Sequence, residues 1–242
     1  MDPAPASLDV AQAKPGAGRV RWMRREAADL PPLQVDLATM TGNVAQVFLT
    51  DAEWDSVLRS AHAAVRPGGR LVFETRDPAA KAWREWNRAD SLARADVPGT
   101  GVVEAWAEVS AVAGDLVSFR SSFVFEADRV TLTSESTLRF RRREEVAGSL
   151  LSAGFLLDDL RDAPDRPGRE LVFIARRPRL SRPPGRRPLG DSQAASCQSH
   201  VRRWTCGWTV RFRGLLGLDK PDDLRALTAG RGSVLVDDEV RR

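Results

Sequence analysis

The chain has 242 residues, 42% of them hydrophobic and 29% charged, which suits one soluble domain of ordinary size with extra material, or two small domains. No apolar run is long enough to span a bilayer and no signal-peptide core opens the sequence, so a cytoplasmic protein without a membrane partner is expected. The formal net charge of +4 rests on arginine, since only Lys14, Lys81 and Lys220 are lysines. Abundant arginine, alanine and valine with no tyrosine fit a GC-rich coding sequence better than a nucleic-acid-binding face. Two thiols, Cys197 and Cys206, cannot form a structural metal site alone, and a cytosolic setting argues against a disulfide.

In chain order, Pro3 and Pro5 start a short helix within Met1 to Lys14, and Pro15-Gly16 ends it. Arg19 to Arg24 reads as a strand, Pro31-Pro32 breaks the next loop, and Val35 to Met40 reads as a second strand with Thr41-Gly42-Asn43 at its carboxyl end. An amphipathic helix covers Thr50 to Val65. Pro67-Gly68-Gly69 then predicts a tight turn into the buried strand Leu71-Val72-Phe73, because proline fixes φ and glycine reaches positive φ. Lys81 to Arg94 is expected to be helical, with Trp83 and Trp86 on one face, where core packing is the plain reading and a substrate wall the functional one. Alternation from Val102 to Phe140, interrupted at Ala113-Gly114-Asp115 and Glu126-Ala127-Asp128, predicts a three-stranded antiparallel meander. A helix over Arg143 to Ala153 stops at Gly154, and strands follow over Phe155 to Leu160 and Leu171 to Ala175. Strand, helix and strand in this order predict an α/β doubly wound sheet.

From Pro178 the periodicity is lost. Residues 179–242 read as a low-order, arginine-rich tail, with a flexible linker first, a mixed stretch over Ser192 to Gly217 and one short helix over Asp219 to Ala229. Either a frameshifted end or an authentic basic tail that binds nucleic acid gives this composition. Cys197, His200 and Cys206 are a weak ligand set, so no metal is expected. Arg141 to Arg143 reads as a solvated helix start.

Several phrases together resemble the class I S-adenosylmethionine-dependent methyltransferases. They are Asp2-Pro3, Glu26-Ala27 after the Arg19 strand, Met40-Thr41-Gly42-Asn43 after the Val35 strand, the "LTDAEW" helix start, and "RPGGRLVFET". The resemblance covers about Asp2 to Pro178, giving a methyltransferase-like domain over 1–178 with residues 102–140 as an antiparallel insertion. It implies a Rossmann-like sheet and S-adenosylmethionine as cofactor. Asp2 would bond the ribose hydroxyls, a task that suits an acceptor-only carboxylate. Glu26 and Ala27 would lie beside the adenine, and Met40, Thr41, Gly42 and Asn43 would line the methionine side. Each has a plainer reading too: a terminal residue for Asp2, a solvated loop carboxylate for Glu26, a turn or cap for Asn43.

One defining feature of that family is missing. No glycine-rich loop between a strand and a helix precedes Asp2, and Lys14-Pro15-Gly16-Ala17-Gly18 stands in the reverse context, after a helix and before a strand. A sheet incomplete at its N-terminus, from an N-terminally shortened member of the family, is therefore expected. In the family, strands inserted where residues 102–140 stand cap the site and select a small-molecule substrate. Glu74, Thr75 and Arg76, at the carboxyl end of the Leu71 strand, are the candidates for contacts near the methyl acceptor. No catalytic base is assigned; His62 lies inside a helix ahead of that strand. Methyl transfer to a small molecule is the leading functional expectation, and a non-catalytic remnant that has lost cofactor binding is the alternative.

Overall fold

The computed structural model describes residues 1–97, 99–179 and 234–237. Helix α1 (Pro5–Gln12) begins on a proline, and the Asp2 carboxylate accepts from the Ala4 N–H at 2.8 Å just ahead of it. The expected strand over Arg19 to Arg24 does not form. Ala17–Arg19 is a 3-10 turn, and only Arg24 pairs, in a single parallel bridge with Asp2. A strand needs a partner along its length, and Asp2 offers one residue before Pro3 turns the chain into α1.

Strand β1 (Val35–Met40) lies parallel to β2 (Val65–Arg76), and α2 (Asp51–Ala64) connects them. The start of α2 is fixed by a capping box, in which Thr50 accepts from the Glu53 N–H at 3.2 Å and Glu53 accepts from the Thr50 N–H at 3.0 Å. Its buried residues Trp54, Val57, Leu58, Ala61 and Ala64 recur at helical spacing. The helix ends where Val65 turns extended, and Arg177 supplies the missing donors. Its Nη1 donates to the carbonyls of His62 and Val65, both at 2.7 Å, placing a cation on the negative end of the helix.

Pro67-Gly68-Gly69 is not the tight turn expected. It lies inside β2, where the register jumps from Val35↔Val65 to Leu37↔Arg70, so four residues of β2 stand opposite Asp36 alone. The bulge is sewn to the next strand: the Gly68 N–H donates to Arg177 O at 2.8 Å, and the Arg177 N–H donates to Gly69 O at 2.9 Å. Gly69 is required by close approach, since a Cβ there would sit 2.8 Å from Asp36 O, 3.0 Å from Val35 O and 2.7 Å from Val65 Cγ1.

After β2, the helix expected over Lys81 to Arg94 is broken into pieces. Two 3-10 turns (Pro78–Ala80 and Ala82–Glu85) are followed by the short α3 (Arg88–Ser91) and then by β3 (Ala93–Val97). The break falls at Lys81, which is left-handed at φ +48°, and at the extended Asn87, which caps α3 by accepting from the Asp90 N–H at 3.0 Å. The meander is consequently four-stranded, in the order β3, β4 (Gly101–Ala113), β5 (Leu116–Phe125), β6 (Thr131–Arg139), antiparallel throughout. Trp86 is buried against Phe119 and Phe140, so the plain reading of the tryptophans as core holds for it.

Helix α4 (Arg143–Ser152) and the hairpin of β7 (Leu156–Asp162) and β8 (Glu170–Arg176) follow as expected. The main sheet has the order β7-β8-β2-β1-β9, with β8 antiparallel to β2. The last strand, β9 (Val234–Asp237), corrects the expectation of an entirely low-order tail: it pairs antiparallel with β1. An open β1 edge offers unpaired N–H and C=O groups, and the β-branched residues Val234 and Val236 suit a strand at such an edge. The other expectations for the tail, including Cys197, His200, Cys206 and the Asp219 to Ala229 helix, lie outside the described residues. One face of the main sheet carries the core, with Ala38, Met40, Leu71, Phe73, Phe173 and Ala175 packed on α2 and α4. Phe73 stacks on Phe173 at 5.2 Å and meets Trp54 edge-on at 5.6 Å.

Two substitutions at glycine test this packing. Gly69→Ala is expected to lower unfolding stability by about 1–3 kcal/mol, the usual cost of overpacking, in a urea titration. Gly148→Ala, on the exposed face of α4 where a Cβ meets nothing within 4 Å, is expected to raise stability by about 0.5–1 kcal/mol.

His62 gives a pH dependence. Partial burial, with its ring edge-on to Phe155 at 5.0 Å, and then the charge of Arg177, hold its pKa below the ordinary histidine value. The unfolded chain therefore binds a proton more readily, and the folded state loses stability as pH falls through and below the ordinary histidine range. Urea titrations at pH 7.5 and 5.5 should show this loss, and His62→Gln should reduce it.

Candidate functional site

Open α/β sheets present ligands at the carboxyl ends of their parallel strands, and here those are the ends of β1 and β2. Met40 closes β1 and is buried, Thr41 and Gly42 are exposed, and Asn43 is buried in the left-handed region at φ +59° before the 3-10 turn Val44–Val47. Register places Met40 beside Phe73, so the turn after β1 lies against the last residues of β2 and meets Glu74 and Arg76. The Gly42 N–H donates to Glu74 Oε1 at 2.7 Å, and Arg76 Nη1 donates to Gln46 Oε1 at 2.9 Å. Asn43 Nδ2 donates to Glu170 Oε1 at 2.9 Å, and the same carboxylate takes Arg166. Thr75 is buried on the opposite face of β2, away from Glu74 and Arg76.

The polarity of this network is set by its ionic members. A carboxylate only accepts and a guanidinium only donates, so Asn43 must turn its nitrogen to Glu170 and Gln46 its oxygen to Arg76. Asn43 Oδ1 and Gln46 Nε2 are then a buried acceptor and a buried donor without hydrogen-bond partners. Buried polar atoms of that kind cost about 1–3 kcal/mol each. Arg76 also lies 5.5 Å over the Trp86 ring, and burial, partly offset by Glu170, pushes its pKa below the ordinary arginine value.

The Val44–Val47 turn leads from this network to a cleft of about 400 Å³. Glu26 and Ala27 stand on one side of it, Val47 and Phe48 on another, with Ala52 and Ser56 of α2 beyond. Glu26 is exposed and Ala27 buried. Asp2 is 4% exposed rather than a loose terminal residue, and its N–H donates to Met23 O at 3.2 Å. It lines a second cleft of about 370 Å³, between α1 and residues 14–22, and Met1 lines both clefts.

The structure thus joins Gly42 to Glu74 of β2 and Asn43 to Glu170 of β8, the register partner of Arg76, and it puts Glu26 and Ala27 in a cleft reached through the same turn. Gln46, Arg166 and Glu170 were missed by sequence reasoning. Glu170 opens a strand far from β2 in sequence, and only the β2–β8 register, pairing Arg76 with Glu170, reveals it. Arg141 was also missed as a buried residue: it is 5% exposed, not a solvated helix start. No group of three or more metal-ligating side chains occurs among the described residues, and no described helix is long and apolar enough to cross a membrane.

No family model matches the sequence, and no curated protein matches it either. Solved structures do match. An S-adenosylmethionine-dependent methyltransferase from Clostridium acetobutylicum aligns over 71% of this chain and 68% of its own, with a TM-score of 0.53 and 14% identity. The CcbJ methyltransferase from Streptomyces caelestis aligns over 71% of this chain and 69% of its own, with a TM-score of 0.53 and 19% identity. An amino pentose methyltransferase of calicheamicin biosynthesis from Micromonospora echinaspora, with S-adenosylmethionine bound, aligns over 72% of this chain and 71% of its own, with a TM-score of 0.52 and 20% identity. Over about 71% of its length the chain therefore has the Rossmann-like α/β fold of these S-adenosylmethionine-dependent methyltransferases.

Proposed function

We propose that this chain transfers a methyl group from S-adenosylmethionine to a small-molecule acceptor. The observation that carries the reading is the continuous turn from Gly42 to Phe48, which runs from the carboxyl ends of β1 and β2 into the cleft holding Glu26 and Ala27. The cleft's volume lies within the usual range for small-molecule sites, and its lining mixes apolar walls with a few polar groups. The cofactor's sulfonium would supply a methyl group that is intrinsically reactive, leaving the protein the work of orientation.

In this reading Glu26 accepts hydrogen bonds from the adenosine edge while Ala27, Val47 and Phe48 enclose it. Asn43 Oδ1 and Gln46 Nε2 offer ligand contacts of fixed polarity, and Thr41 and Gly42 approach the methionine end. Asp2 braces the start of α1 through Ala4 and ties it to Met23 and Arg24, in the neighbouring cleft that meets this one at Met1. Glu74 and Arg76 hold the turn in register and face the acceptor, with Arg76 backed by the core residue Trp86. The amino pentose substrate named for one structural neighbour supports a small polar acceptor. A protein without a described membrane-crossing helix is compatible with action in the cytoplasm on a diffusible substrate.

A second reading rests on β9. It pairs antiparallel along the edge of β1, where a strand bearing a glycine-rich loop would stand in the resemblance drawn from sequence. That arrangement favours a methyltransferase-like fold without cofactor binding. Titration calorimetry with S-adenosylhomocysteine separates the two. Methyl transfer predicts micromolar binding by the wild type, weakened about tenfold by Glu26→Ala through loss of one charge-assisted hydrogen bond. Absence of binding heat at millimolar ligand would leave the second reading.

A further inference from the structure

Two arginines at the end of the meander reach across to the segment that walls the cleft. Arg139, the last residue of β6, donates from Nη1 to Leu49 O at 3.1 Å and to Asp51 Oδ1 at 2.8 Å, while its Nε bonds Asp115 Oδ2 at 2.6 Å in the β4–β5 turn. Arg141 donates from Nη2 to Phe48 O at 2.8 Å and to Thr50 O at 3.1 Å. Its guanidinium lies 5.4 Å over the Trp54 ring, and its buried Nε makes no hydrogen bond, standing 4.0 Å from Asp51 Oδ1. Three successive carbonyls, those of Phe48, Leu49 and Thr50, are thus held by guanidinium donors from the end of β6 and the connection that follows it.

This segment is where the cleft's shape is decided. Phe48 lines the cleft and stacks on Trp54 at 6.0 Å, and α2, whose Ala52 and Ser56 also line it, begins at Asp51. Pure structural packing would not need a cation here. A guanidinium this buried, without a carboxylate at hydrogen-bond distance, is costly, and an apolar side chain of similar length would fill the space over Trp54. What only the arginine provides is directed donors to the carbonyls.

We propose that Arg139 and Arg141 are positioning residues, which fix the Phe48–Thr50 wall of the cleft to the meander and so tie cofactor affinity to the acceptor-side sheet. The affinity part rests on the proposed methyltransferase reading; the anchoring part does not.

The test uses the full chain and three variants, followed by hydrogen–deuterium exchange without ligand and by calorimetry with S-adenosylhomocysteine. Arg141→Met is expected to speed exchange in peptides covering 44–57 while the β2 and β8 peptides keep wild-type protection. It is also expected to weaken S-adenosylhomocysteine about tenfold, as loss of charge-assisted bonds predicts. Arg141→Lys should recover part of both. Arg120→Met, an exposed meander arginine paired with Glu135, should change neither. Wild-type protection of 44–57 in Arg141→Met would overturn the proposal, as would faster exchange with unchanged affinity. If the wild type binds no S-adenosylhomocysteine, the methyltransferase reading fails, and the exchange result alone then decides whether the arginines anchor the wall. Should Arg141→Met not fold, Arg139→Met carries the same comparison.

Discussion

The close approach of Gly69 to the carbonyls of Val35 and Asp36 governs how the rest of the structure is assembled. It lets β2 absorb a four-residue bulge opposite Asp36 and still return to parallel register by Leu37↔Arg70. Register then carries through to Met40↔Phe73, and that pairing brings the turn after β1 onto Glu74 and Arg76. Arg177 reinforces the same point from two directions, pairing its backbone with the bulge and capping α2 with its side chain. A shift of one residue in β2 would reverse its faces, sending Phe73 to the outside and Glu74 into the core. The site's geometry is therefore set some distance from the site.

Much of this was legible in the sequence where the physics is local. The amphipathic helix expected over Thr50 to Val65 forms as α2, because amphipathicity and capping are near-neighbour effects. The meander turns and the β7–β8 hairpin were visible for the same reason. The failures share a cause in partners distant along the chain. Arg19 to Arg24 alternates as a strand does, yet only Asp2 is there to pair with it. Pro67-Gly68-Gly69 has turn chemistry, but pairing with Arg177 draws it into β2. Lys81 to Arg94 has helical spacing of its tryptophans, but Lys81 and Asn87 break it and β4 captures Ala93–Val97 as a strand.

The candidate site divides along the same line. The turn at Thr41-Gly42-Asn43 was readable because a turn after a strand is a local feature, and Glu74, the partner of Gly42, stands at the end of the neighbouring strand. Glu170 and Arg166 were not readable because their roles exist only once β8 lies beside β2, and Gln46 because its partner Arg76 comes within reach only when β1 pairs with β2. Arg141 misled for a related reason: a run of three arginines reads as solvated, while the fold buries the first and leaves Arg142 and Arg143 exposed. Burial of one member turns it from a surface charge into a strap between the β6–α4 connection and the Phe48–Thr50 segment.

Fold and site together describe a sheet whose parallel strand ends lead through one turn to a cleft on the flank of α2, with a second sheet anchored alongside. The most direct test is a titration of the isotope-labelled protein with S-adenosylhomocysteine, followed by backbone amide chemical shifts. The account predicts perturbations concentrated at Glu26 to Ala28 and at Gly42 to Phe48. Shifts absent from both segments, or confined to the β3–β6 sheet, would contradict it.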